Sequence, residues 1–224
     1  MSIHEPEDSR IRRKIERVPP EQVHSAGAFP VATLYEAAGK VGALPCVLKP
    51  TATSFQLCGP AVTVDSPGGD NLWIHRALYL ALPGDVLVVR VDDAYEHGYW
   101  GEIMSTAAKL RGLGGLVIDG GVRDSVLLER IGFPVFARTL CIRGTAKDPR
   151  GHGRINFPIV FDDVTICAGD LIVGDHDGLV AIPRLRVAEV VETAIERTEM
   201  EEQVIERLNQ GESTLSIYGW PEET

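Results

Sequence analysis

Several things are scarce or missing in this chain. No uninterrupted apolar run approaches the ~20 residues needed to cross a bilayer, and the polar stretch Met1–Arg17 holds no apolar segment of the kind a secretory leader carries. Both absences point to a soluble, cytoplasmic protein with no membrane partner. Positive charge is short, since 22 Lys and Arg against 32 Asp and Glu leave a net charge of −10. A field of that sign repels phosphate backbones. The densest basic run, Arg10 to Arg17, is interleaved with Glu16 and isoleucines, so nucleic acid is not an expected partner. A small anionic substrate would need a local cation, either an Arg or a metal. The four cysteines, Cys46, Cys58, Cys141 and Cys167, form no C-x-x-C pair, so neither a zinc knuckle nor a redox motif is signalled. They read as small core residues in a reducing compartment.

Familiar catalytic signatures are absent too. There is no H-E-x-x-H and no G-x-S-x-G elbow. The nearest approach to a dinucleotide fingerprint, Gly112-Gly114-Gly115, precedes a strand instead of opening a helix, which disfavours NAD. Lys40, Lys49, Lys109 and Lys147 all lie outside apolar strands where burial would lower an amine pKa, so an imine mechanism is not favoured.

What is present is an ordinary globular balance over 224 residues, 44% hydrophobic and 24% charged, enough for one substantial core. With no repeat or linker visible, residues 1–224 read as a single domain with a C-terminal helical extension, 187–224. Residues 31–40 look like a short helix. Runs 60–65 and 86–91 read as strands around a helical 70–82. From 86 the order is strand 86–91, loop 92–101, helix 102–111, strand 115–118, a Gly-Gly turn at 120–121, helix 124–131 and strand 134–138. That βαβαβ order predicts parallel strands with right-handed crossovers. Ligands in such units collect beyond the carboxyl ends of the strands, which here means loops 92–101 and 119–124. Short strands at 158–161, 164–167, 171–174 and 179–182 read as antiparallel or mixed. A long, mostly charged helix spans Val187 to about Leu208, with Gly211 placed to cap it.

In Asp119-Gly120-Gly121-Val122-Arg123-Asp124 two readings of Asp124 stand. It caps its own helix, or it binds a divalent cation while Arg123 clamps an oxyanion. Asp119 reads as fixing the turn. Trp100-Gly101-Glu102-Ile103-Met104 opens a helix, so its first amides lack intrahelical partners and suit a carboxylate. Gly101 lets a ligand approach, and Glu102 either serves the helix dipole or acts in acid/base chemistry. In the tail, Val187, Val191, Ala194, Thr198, Glu201, Ile205 and Leu208 form a seam at helical spacing with one carboxylate in it. Either the seam breaks at Thr198 and Glu201 is solvated, or the helix delivers Glu201 to a neighbouring subunit's active site. His75 and His97 read as structural or rim residues.

On these residues the sequence resembles the class II pyruvate aldolases that cleave 4-hydroxy-4-methyl-2-oxoglutarate and 4-carboxy-4-hydroxy-2-oxoadipate, which share a fold with the regulator of ribonuclease activity A. The resemblance runs from about Val31 to Gly219. It is carried by Gly68-Gly69-Asp70-Asn71, Gly84-Asp85, Gly98-Tyr99-Trp100-Gly101-Glu102, Ile118 through Asp124, Gly144-Thr145-x-Lys147, Gly169-Asp170, Asp177-Gly178, and Gly211-Glu212 with Ile217-Tyr218-Gly219. It implies an α/β fold: an RraA-like swivelling β/β/α core with mixed sheets and a C-terminal helical tail. It implies Asp124 as the direct ligand of Mg²⁺ or Mn²⁺, Arg123 on the keto or enolate oxygen, and the amides near Ile103 and Met104 on the pyruvoyl carboxylate. Glu102, and Glu201 from the adjacent subunit of a homotrimer or homohexamer, would orient waters on the metal. Retro-aldol cleavage to pyruvate and a second keto acid follows as the expected activity, with oxaloacetate decarboxylation beside it. The alternative is a non-catalytic regulator that binds and inhibits a ribonuclease. The tail departs from the family's pattern: Ile205 stands where relatives often have Arg, and Trp220-Pro221 replaces Met-Arg.

Overall fold

The structure is a computed structural model that describes residues 9–221. The sequence expectations for Met1–Asp8 and for residues 222–224 lie outside the described residues. Helices α1 (Pro20–Ala26) and α2 (Val31–Ala37) precede strands β1 (Lys49–Pro50) and β2 (Leu57–Ser66). Then come α3 (Leu72–Leu80), β3 (Val86–Val91), β4 (Gly98–Trp100), α4 (Glu102–Leu110), β5 (Gly115–Val122), α5 (Ser125–Ile131) and β6 (Val135–Leu140). The second half contributes β7 (Arg154–Ile155), β8 (Ile159–Phe161), β9 (Val164–Ile166), β10 (Leu171–Gly174) and β11 (Leu179–Ile182). The tail is α6 (Val187–Asn209) and α7 (Thr214–Tyr218).

The sheet order is β1-β6-β5-β3-β2-β10-β11, with β4 on β5 and β7 on β2. Strands β2, β3, β5 and β6 are mutually parallel, as the alternation of strand and helix requires. Strands β10 and β11 add antiparallel, and β8 pairs with β9 as a separate antiparallel hairpin. The ten residues of β2 serve both halves: Leu57–Pro60 pair with β10, and Ala61–Ser66 pair with β3.

The period of two along each strand sorts the core into layers. Leu87 and Val89 of β3 and Leu116 and Ile118 of β5 face a cluster with Trp73, Met104 and Leu128 from α3, α4 and α5. Val86, Val88, Val117 and Phe136 point the other way, onto β8, β9 and the inner faces of β10 and β11. Leu171, Val173, Val180 and Ile182 look outward again, onto α1, α2 and the first turns of α6. The result is the mixed β/β/α core with its helical tail.

Three expectations need correction. Gly120-Gly121 is no turn, because β5 runs on to Val122 with a register shift between Ile118 and Gly121. The loop 92–101 contains β4, which takes a place beside β5 past the end of β3. Both changes carry Arg123 and Asp124 farther out along the sheet's carboxyl edge. Asp119 does not fix a turn, because its carboxylate accepts from Arg138 at 2.6 Å.

The seam on α6 shifts as well. Val187, Val190 and Ala194 are buried, while Val191 is only half-buried. Beyond Thr198 the helix leaves the body of the chain, and up to Gln210 every residue but the half-buried Val204 is exposed.

Candidate active site

The two loops singled out at the carboxyl edge meet. Arg123 and Asp124 follow β5, and Gly101 and Glu102 open α4. The amide of Arg123 donates to the carbonyl of Trp100 at 2.9 Å, tying the segments together. Asp124 sits at the N-cap position of α5 in the left-handed region, φ 62° and ψ 34°, and its side chain caps nothing there. A non-glycine residue in that region costs energy. Here it turns the carboxylate away from its own helix, and Oδ2 accepts from the Glu102 amide of α4 at 3.1 Å. The simple capping reading of Asp124 is therefore wrong. Arg123 Nε lies 3.8 Å from the same oxygen, too far for a tight pair, and both side chains stay open to solvent.

Glycine lets these groups converge: a side chain at 98 would strike backbone, and one at 101 would push the Asp124 carboxylate aside. A Cβ on Gly101 would stand 2.4 Å from Asp124 Oδ2 and 3.1 Å from Arg123 Cγ. On Gly98 it would meet the Cys141 carbonyl at 2.5 Å and Arg123 Cδ at 3.1 Å.

Helix α4 supplies the anion-binding end. Its first intrahelical bond is Ser105 N–H to the Gly101 carbonyl, so the amides of Glu102, Ile103 and Met104 have no partner within the helix. Glu102 spends its amide on Asp124, leaving those of Ile103 and Met104 without an acceptor among the described residues. Met104 is buried and the Ile103 side chain is exposed, so both contribute through the backbone.

All six residues from the two loops line one cleft of about 310 Å³. Its remaining wall was assigned no chemistry by sequence reasoning: Asn71 just before α3 and His75 on it, with Thr145 and Lys147 from the segment after β6. Asn71 donates from Nδ2 to the Tyr99 carbonyl at 2.9 Å, while its Oδ1 is buried without a donor. The Tyr99 hydroxyl donates to the Ala94 carbonyl and accepts from the Gly69 amide, both at 2.7 Å, and burial raises its pKa. His75 is half-buried. Burial, and then the charge of Lys147, depress its pKa against an opposing pull from Asp70. The rim reading of His75 fits, and the visible signals for this wall were Gly69-Asp70-Asn71 and Gly144-Thr145-x-Lys147. His97 instead packs on the Tyr99 ring at 5.9 Å.

Glu201 does not reach this cleft within one chain. On α6 it lies 3.0 Å from Arg197 Nε, and Arg197 also pairs with Glu36 of α2. A second hollow, about 510 Å³, adjoins Arg123 and Asp124 on their other side, walled by Leu140, Cys141 and Ile142.

A dication suits this donor set. No three His, Cys, Asp or Glu side chains cluster to cage a metal among the described residues. One carboxylate on an open wall, with only the Glu102 amide bonded to it, provides hard oxygen ligation with room for waters, as Mg²⁺ and Mn²⁺ accept. It does not provide the nitrogen and sulfur cage of a structural zinc site.

Residues 31–181 match the model of the RraA-like family, described as Aldolase/RraA. The chain belongs to this family. It is similar to a curated protein of Halalkalibacterium halodurans named "Putative 4-hydroxy-4-methyl-2-oxoglutarate aldolase", with 36% identity over 166 residues covering 74% of this chain and 78% of that one. Among solved structures, an uncharacterized protein from Pseudomonas syringae pv. tomato matches with a TM-score of 0.78 at 25% identity, covering 89% of this chain and 93% of that one. Streptomyces coelicolor RraAS2, described as an unusual member of the RNase ES inhibitor RraA protein family, shares the fold. Its TM-score is 0.74 at 24% identity, over 85% of this chain and 98% of that one. Both an aldolase name and an inhibitor name thus stand among this RraA-like chain's relatives. No helix of the described residues is long and apolar enough to cross a membrane.

Proposed function

We propose that this protein is a divalent-metal-dependent pyruvate aldolase. It cleaves a 4-hydroxy-2-oxo acid with a second carboxylate, such as 4-hydroxy-4-methyl-2-oxoglutarate or 4-carboxy-4-hydroxy-2-oxoadipate, to pyruvate and another keto acid. Oxaloacetate decarboxylation is its second activity. The carrying observation is the Asp124 carboxylate, turned off its own helix into a cleft beside a loosely paired Arg123 and the open amides of α4. A surface that only binds a ribonuclease has no use for that arrangement.

The amides of Ile103 and Met104 hold the pyruvoyl carboxylate at the positive end of α4. Arg123 points its guanidinium at the keto oxygen. A divalent cation held by Asp124 supplies Lewis-acid polarisation of that oxygen. The C4 hydroxyl gives its proton to a water held by Glu102, the C4–O bond becomes a carbonyl as the C3–C4 bond breaks, and the released electron pair passes through C3 to the C2 oxygen. Arg123 stabilises the enolate charge there. Glu102 holds the water that returns a proton to C3. Decarboxylation of oxaloacetate leaves the same enolate, which is why one site serves both reactions.

Glu201 completes the site from a neighbouring subunit in a homotrimer or homohexamer. Exposed apolar groups on both sides support this. Ile142, 92% exposed, and Leu140 flank Arg123 and Asp124, while Ile205, Tyr218 and Trp220 lie bare along the tail. Apolar surface of this kind marks an interface.

The test is pyruvate release from oxaloacetate, followed by lactate-dehydrogenase coupling, with Mg²⁺ and then with EDTA. Release that stops on chelation is the expected result. A well-folded protein that releases no pyruvate from oxaloacetate or from either hydroxy-oxo acid would leave the ribonuclease-binding reading in its place.

A further inference from the structure

The far wall of the cleft carries a cation with nothing to pair with. Lys147 makes no hydrogen bond and no ion pair among the described residues. Its backbone, by contrast, is firmly placed. The Asp70 carboxylate, only 5% exposed, accepts from the Leu72 amide at 2.8 Å and from the Asp148 amide at 2.5 Å. On the other side of Lys147, the Ala146 amide donates to the Gly69 carbonyl at 2.7 Å, and the Asn71 amide donates to the Ala146 carbonyl at 3.2 Å. Lys147 is therefore pinned from both neighbours while its ammonium is left unspent.

That placement is unusual in a chain where acids exceed bases by ten, 32 against 22. Exposed lysines usually find solvent on a convex surface, whereas this one lines the same cleft as Arg123 and Asp124. His75 stands near enough to feel its charge and is held toward the neutral form by burial and by Lys147. The wall thus offers one fixed positive charge and a neutral ring.

A cleft of about 310 Å³ extends beyond what a pyruvoyl group fills. With the pyruvoyl end at α4 and Arg123, the remainder of a substrate runs toward Lys147. We propose that Lys147 is a specificity-determining residue that clamps the distal carboxylate of the substrate, so that the site selects 2-oxo acids charged at both ends. This rests on the aldolase reading, because that reading fixes which end of the substrate lies at Arg123.

Calorimetric titration in the presence of Mg²⁺ tests it with two probes. Oxalate mimics the pyruvoyl enolate alone, whereas 2-oxoglutarate adds the distal carboxylate. The Lys147→Ala protein is expected to bind oxalate within about twofold of wild type and 2-oxoglutarate at least about tenfold more weakly, as loss of a charge-assisted contact implies. Lys147→Arg, which keeps the charge, should retain most of the 2-oxoglutarate affinity. If Lys147→Ala leaves 2-oxoglutarate binding unchanged while oxalate still binds, the clamp is wrong and the aldolase reading stands. Equal weakening of both probes also overturns the clamp, since it would place Lys147 at the pyruvoyl end. If wild type binds neither probe with Mg²⁺, the aldolase reading fails and the clamp with it.

Discussion

Among the Arg–Asp pairs of the described residues, two lie at opposite ends of the parallel strands and differ in almost every respect. Asp85, just before β3, is 1% exposed. Arg17 grips it through two bonds, Nε to Oδ1 at 2.7 Å and Nη2 to Oδ2 at 2.8 Å, and the Leu82 amide adds a third at 2.8 Å. Arg123 and Asp124, beyond β5, are separated by 3.8 Å and open to solvent. The first pair has its hydrogen-bonding capacity consumed by the fold. The second holds a carboxylate in a costly backbone conformation and commits it to a single amide, that of Glu102, leaving most of its capacity open. Residue type alone therefore says little about task, and what counts is how much of a group's bonding the fold has already taken.

The largest expected effect breaks the open pair. Asp124→Asn keeps a side chain that tolerates the left-handed backbone and removes the charge. Metal-dependent pyruvate release should fall by more than the ~10²–10³-fold that one lost oxyanion donor costs. The urea midpoint should barely move, because that carboxylate caps no helix of its own. Wild-type turnover in this variant would remove Asp124 from the chemistry. Breaking the closed pair should do the reverse. Arg17→Met strands the Asp85 carboxylate in the interior and should cost about 3 kcal/mol of stability, the lower end for a buried pair because Arg17 is partly exposed. Urea unfolding measures that loss, and turnover of the remaining folded protein should be unaffected.

Much of this contrast was legible in the sequence, for a physical reason. The order of apolar runs and breakers fixed β3, α4, β5, α5 and β6 as parallel neighbours, and the chemistry of such units belongs at their carboxyl edge. Gly101, Glu102, Arg123 and Asp124 were found there because local spacing places them on adjacent loops. What stayed hidden depends on distant segments. Nothing local tells that β5 continues through Gly120-Gly121, since the partners that make it a strand are β4, formed from a loop, and the last residues of β6. Lys147 and His75 share a wall because Asp70 and the backbone of Gly69 and Asn71 stitch two segments about 78 positions apart. Glu201 remains outside any single chain's cleft, and no reading of one chain places it.

The smallest expected effect sharpens the comparison at its open end, through His75. Where every charge is matched, as at Asp85, a neutral neighbour gains nothing by staying neutral. Beside an unmatched Lys147 it does. His75 titrates below its ordinary 6.5 because burial first, and the Lys147 charge second, disfavour the protonated ring. A depressed folded value means the unfolded chain takes up a proton that the folded chain refuses. Stability from this source is full above about pH 6.5 and is lost as the pH falls through the folded value. His75→Gln should therefore flatten that part of the acid limb in urea unfolding. Lys147→Ala should raise the His75 pKa, read from its ring proton by NMR, but only part of the way, because burial remains the larger cause. An unchanged value would mean that the lysine charge is matched after all, and that the two ends of the sheet differ less than their geometry implies.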